Sequence, residues 1–133
     1  MSFFDRVRGV FSPRHREMEE RRRESREELD SLLARGLVEK VLMFPAEFGG
    51  PDDPRNRTYL PPELAARKRS VDAEVRRRIE GGEELYYRVT PEYDSDSFVP
   101  ARLRLEAAKE GGGSAIEEVL EVAPYRTWEQ NSG

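Results

Sequence analysis

The 133-residue chain is 36% hydrophobic and 38% charged, with 23 basic against 27 acidic residues and a formal net charge of −4. This allows one modest core under a large charged surface, and the balanced signs lack the clustered excess of cation that general nucleic-acid binding requires. There is no cysteine and a single histidine, His15, so disulfides and thiolate metal sites are excluded, and ordinary zinc sites and Ser-His-Asp or Cys-His catalysis have almost no raw material.

Residues 1–11 read MSFFDRVRGVF. Phe3, Phe4, Val7, Val10 and Phe11 fall on one face at helical spacing, so the segment is expected to be a short amphipathic helix. Such a helix can dock on the chain's own core, on a partner or in a membrane interface; docking is the simpler expectation, because about three turns bind a bilayer weakly. No run approaches the ~20 apolar residues of a membrane span. Asp5, Arg6 and Arg8 interrupt any signal-peptide core, and a cytoplasmic location is expected.

Residues 12–36 are expected to form a charged helical arm. Ser12 suits an N-cap, Pro13 the first helical position and Gly36 the stop. Residues 19 to 28 (EERRRESREE) carry no apolar side chain, so that stretch is either a solvated helix or an arm presenting charge to a partner. Leu29, Leu32 and Leu33 return apolar contacts at its carboxyl end.

Residues 37–126 form the expected α+β domain, a mainly antiparallel sheet of about four strands packed by a helix. Leu37 to Phe44 (LVEKVLMF) reads as the first strand, ended by Pro45. Residues 45 to 61 then read as one irregular connection, full of Gly and Pro turn formers. A helix follows from Pro61 or Pro62 to Gly81-Gly82, with Leu64, Val71, Val75 and Ile79 on one stripe. Lys68 falls inside that stripe, where it either snorkels outward or pairs with a carboxylate. LYYRVT (85–90) and FVPARLRLEA (98–107) are the next strands, followed by a turn at Gly111-Gly112-Gly113. Residues 114–123 fit a capped helix, with Ser114 and Glu117 as the capping box, or a return strand; the triple glycine after a strand favours the strand. Residues 127–133 are a tail, with Tyr125 and Trp128 available to pin it.

The 45–60 connection is the leading candidate for function. Proline restricts the unfolded chain, and Phe44, Phe48, Tyr59 and Leu60 can tuck inward, so the loop is expected to be ordered; ordered long loops often carry function. Its tip would project Asp52, Asp53, Arg55 and Arg57. Asp52, Asp53 and Asn56 are oxygen ligands of the type calcium takes, but the EF-hand pattern is missing and two arginines intrude. Glu92, Asp94 and Asp96 make an acidic turn beside Tyr93 that could meet an arginine-rich surface or, in a hydrolase of unfamiliar type, a divalent metal; no nucleophile or oxyanion feature accompanies it. Tyr86 and Arg88 share one face of their strand and Tyr87 and Val89 the other, and an exposed aromatic there would serve recognition.

Several of these pieces occur together in a recognisable order. FPAEFGG, Asn56, YLPPE, Lys68 and Asp72 on a helix, then YYRVTPEYDSDSFVPARLRLEA, resemble a small bacterial domain found among the accessory and immunity proteins of polymorphic toxin systems. The resemblance covers residues 41 to 108 and is most specific at Phe48-Gly49-Gly50, at Tyr59 with Pro61, and at Pro91, Tyr93, Ser97, Phe98 and Pro100. This chain has Asp94-Ser95-Asp96 where that pattern has a glycine turn. The resemblance implies a stoichiometric binding protein and carries over no catalytic residue. The expectation is therefore a non-enzymatic module with no cofactor and no resident metal. Its protein partner, a toxin in the immunity reading, would be contacted through Phe48, Asp52, Asp53, Arg55, Arg57, Tyr59, Lys68, Tyr86, Arg88, Glu92, Tyr93, Asp94 and Asp96. The alternatives are a scaffold or regulatory protein anchored to a membrane by residues 1–11, and the metal-dependent hydrolase.

Overall fold

The structure is a computed structural model and describes residues 7–8, 26–94 and 97–123. In chain order the elements are β1 (Val7–Arg8), α1 (Arg26–Ala34), β2 (Glu39–Leu42), β3 (Arg57–Leu60), α2 (Pro62–Glu80), β4 (Leu85–Glu92), β5 (Arg102–Lys109) and β6 (Ser114–Glu121). This is an α+β arrangement. β4, β5 and β6 form an antiparallel sheet, β1 adds a two-residue parallel edge beside Leu85 and Tyr86, and β2 and β3 make a separate antiparallel ribbon.

Burial alternates along the strands. On β4 the inward residues are Leu85, Tyr87 and Val89, and on β5 they are Leu103, Leu105 and Ala107. α2 lays Val71, Val75 and Ile79 into the same core and touches both the sheet and the ribbon. Leu29 and Leu32 of α1 and Leu60 of β3 complete it. The opposite face of the sheet carries Tyr86, Arg88, Arg104, Val119 and Glu121, all exposed. One residue of each alternating pair faces oil and the other water, as a half-covered antiparallel sheet requires.

Several expectations are corrected. Val7 and Arg8 are extended, not part of a helical face; the rest of residues 1–11 lies outside the described residues. So do residues 12–25 of the charged arm, of which the described helix is 26–34, and Tyr125, Trp128 and the tail. The expected first strand does not join the main sheet and is shorter than 37–44. Leu37 N donates to Leu32 O at 2.9 Å, closing the end of α1, and Met43 N turns away to Asn56 O at 2.8 Å. The irregular connection contains a strand after all. Thr58 and Leu60 point inward and Arg57 and Tyr59 outward, so RTYL is a short period-2 run hidden behind three turn residues.

β4 runs past Pro91 to Glu92, because beyond Tyr86 it is an edge among the described residues and a missing N–H costs nothing there. β5 starts late, at Arg102. Before it Ser97 Oγ accepts from Val99 N at 3.0 Å and holds residues 97–99 in a turn. The 114–121 segment is a strand, with a register shift between Ala107 and Ala108 of β5 that places Ile116 opposite Ala107 and Ser114 opposite Ala108.

Candidate functional site

The connection from Met43 to Asn56 is built around one side chain. Asn56 is fully buried. Its Nδ2 donates to Phe44 O at 2.8 Å and Pro51 O at 2.9 Å, and its Oδ1 accepts from Phe44 N at 2.8 Å. The carboxamide thus pairs with a backbone residue on both sides, as a strand neighbour would, and ties the two ends of the loop together. Only an amide offers donor and acceptor in that fork. Two short 3-10 turns fill the interval. In the first, Ala46–Phe48, Pro45 O accepts from Phe48 N at 3.0 Å and Gly50 N at 2.9 Å. Gly49 has φ 93°, a conformation that disfavours side chains, and a Cβ on Gly50 would lie 1.8 Å from Phe44 O. In the second, Pro54–Asn56, Asp53 Oδ1 caps Arg55 N at 2.8 Å.

The loop stands on a buried polar group. Phe44 and Phe48 meet edge-on at 5.9 Å, and both rings contact Tyr87, at 6.5 and 6.0 Å. Tyr87 OH donates to Asp72 Oδ1 at 2.6 Å, and Lys68 Nζ donates to both oxygens of Asp72 at 2.9 and 2.8 Å. Lys68 and Tyr87 are fully buried and Asp72 nearly so. Lys68 pairs and does not snorkel. Burial pushes its ammonium pKa down and the Asp72 carboxyl up, each opposed by the charge of the other; burial also raises the Tyr87 phenol, with Asp72 adding to the shift.

The exposed tip neutralises itself. Asp52 accepts from Arg57 Nε at 2.8 Å and Lys40 Nζ at 3.1 Å, and Asp53 accepts from Arg55 Nε at 3.1 Å. Arg57, then Lys40, hold Asp52 below the ordinary carboxylate range, and Arg55 does the same for Asp53. Lys40 and Tyr59 are opposite one another in the ribbon. From Tyr59 the surface continues to Phe98, edge-on at 6.1 Å, over which the Arg26 guanidinium lies at 5.8 Å.

No family model, curated protein or solved structure matches this chain. Geometry is therefore what places twelve of the thirteen candidate residues. Asp52, Asp53, Arg55, Arg57 and Tyr59 share the loop and its ribbon. Tyr93 and Asp94 follow Glu92 at the end of β4, and Phe98, in the next described stretch, lies edge-on to Tyr59. Glu92 is already engaged, with Arg104 Nε at 2.7 Å and Arg102 at 4.0 Å, so the arginines that meet Glu92 belong to the same chain. Asp96 lies outside the described residues. Phe48 and Lys68 are buried and present nothing to a partner; they support the loop from beneath. Tyr86 and Arg88, the other expected contact residues, do not join the loop. The loop packs on Tyr87, and strand alternation turns Tyr86 and Arg88 to the opposite face of the sheet.

Asn56 and Asp72 carry roles that their sequence signals show only faintly. Asn56 has the oxygen of a cation ligand, but an asparagine just before a strand in a Pro-rich loop can instead pair with backbone. Asp72 sits four residues after Lys68, the i,i+4 spacing that brings the two side chains together. Among the described residues no three Asp, Glu or His side chains cluster as a metal site, and no helix is long and apolar enough to cross a membrane.

Proposed function

We propose that the protein is a non-enzymatic recognition domain that binds a protein partner through the 45–60 loop and the adjoining Tyr59–Phe98 surface. The observation that carries this reading is the Asn56 clamp, which fixes residues 51–55 before any partner arrives. A surface already held in its bound shape loses less conformational entropy on association. The paired charges at the tip supply polar complementarity with little net charge. The half-buried Tyr59 and Phe98, with Arg26 above, supply the aromatic and arginine chemistry that interface centres favour. The resemblance of residues 41–108 to immunity-type domains points the same way and suggests that the partner is a toxin that this protein covers and blocks.

The test is affinity capture from the native host with the full chain as bait, compared with Arg55→Glu at the tip and with Glu110→Arg at the remote hairpin turn. One partner is expected in one-to-one ratio, weakened about tenfold by Arg55→Glu, which is ~1.4 kcal/mol, and unaffected by Glu110→Arg. Equal recovery by both variants, or no partner at all, contradicts the proposal.

A further inference from the structure

β6 pairs with β5 on one side, and among the described residues nothing pairs with its other side. An eight-residue edge leaves alternate backbone N–H and C=O groups without a strand partner. The outer face shows what chemistry would complete it. One cross-strand row runs Arg88, Glu106, Glu117, and another runs Glu92, Arg102, Glu121. Both end on a glutamate at the open edge. Glu106 and Glu117 stand directly opposite one another, an unfavourable like-charge pair, and Arg102 Nε reaches Glu121 only at 3.5 Å. The row between them, Thr90, Arg104, Val119, ends on a valine that is 36% exposed. A further strand would offset the Glu106–Glu117 repulsion with a cation beside Glu117, set an apolar residue beside Val119, and continue the alternation of charge with a cation beside Glu121.

The inner face offers room for the intervening side chains. Between α2 and β6 lies a cleft of about 280 Å³, with Val71 and Ile116 as apolar lining and Arg67, Glu74, Arg77 and Glu118 around them. Arg67 pairs with Glu118 and Arg77 with Glu74, so the walls are locally neutral. From Arg67 to Arg77 the helix rises ~15 Å, the length of four or five residues of extended chain at ~3.3 Å each. An edge strand with a helix alongside suits an added strand: the edge takes the backbone, and the groove takes every second side chain.

We infer that β6 is a second binding site, which takes an extended cationic segment of a partner protein as an added strand of pattern cation–x–apolar–x–cation. A second copy of this chain is the poorer occupant. β6 holds Glu117, Glu118 and Glu121 and no cation, so pairing with itself brings only carboxylates together. The site stands on β6 and α2 alone and does not rest on the function proposed for the loop.

The test uses the isotope-labelled full chain and a synthetic heptapeptide, threonine-lysine-threonine-valine-threonine-lysine-threonine, at low salt. The expected result is saturable amide shifts along β6 and at Val71, with binding at least about tenfold tighter than for the same peptide carrying glutamate for lysine. In the Glu117→Lys, Glu121→Lys double variant that preference inverts. Equal binding of both peptides, or shifts absent from β6, overturns the inference. So does a dimer through β6, or slow exchange of its outward amides in the free chain, since either means that the edge is already taken.

Discussion

Lys68 carries its ammonium into the core because its place on α2, between Ala65 and Val71 on the buried face, gives it no route to water, and Asp72 one turn later supplies the matching charge. A buried pair of this kind adds little net stability, since desolvation offsets the attraction, but loss of one partner strands the other. Lys68→Met is therefore expected to cost ~3–5 kcal/mol in urea unfolding, whereas the triple change Lys68→Met, Asp72→Leu, Tyr87→Phe, which removes every buried polar end, should return most of that loss. A triple variant no more stable than the single one contradicts this view of the network. Asp52 sits at the other extreme of exposure. Its carboxyl is held below its usual 3.8 by Arg57 and Lys40. A depressed carboxylate favours the folded tip above the unfolded value, and that contribution is lost as pH falls through the lower folded one. The carboxyl carbon of Asp52 should titrate below 3.8 and move up toward that value in Arg57→Gln. An unchanged midpoint in the variant would show that Arg57 does not hold it.

At the scale of elements, local pattern and tertiary demand agree in some places and part in others. α2, β4 and the edge strand β6 were legible because Val71, Val75 and Ile79 keep helical spacing, YYRV keeps period 2 and the glycines after Glu110 force a return. β3 was not, because four residues are too few for a period to stand out behind Pro54-Arg55-Asn56. The independence of the β2–β3 ribbon was hidden for a different reason. Strand partners are chosen by long-range packing, and nothing within LVEKVLMF says whether its neighbour will be RTYL or LYYRVT. That Phe44, Phe48 and Leu60 turn inward beneath the candidate loop was legible from its composition, but its organising residue was not. Asn56 is one polar side chain whose role exists only when Phe44, twelve residues away, is brought beside it.

For the molecule as a whole, the loop, α2 and the inner face of the sheet meet at Tyr87, which touches Phe44 and Phe48 and donates to Asp72. The arginines of α2 reach outward to three elements, Arg69 to Glu39 on β2, Arg76 to Glu47 in the first 3-10 turn and Arg67 to Glu118 on β6. Exposed pairs of this kind are worth ~0–1 kcal/mol each, so they orient surfaces more than they hold the fold. What fixes the loop is beneath it, the Asn56 fork and the rings of Phe44 and Phe48 on Tyr87. Native-state amide exchange tests that claim most directly. Met43, Phe44, Gly50 and Asn56 all donate backbone N–H bonds within the loop. In the isolated full chain they should exchange as slowly as the paired amides of β4 and β5, and Asn56→Ala should release all four while β4 and β5 stay protected. Fast exchange at these four amides in the unmodified protein would mean that the loop is not preformed, and recognition through a rigid tip would have to be abandoned.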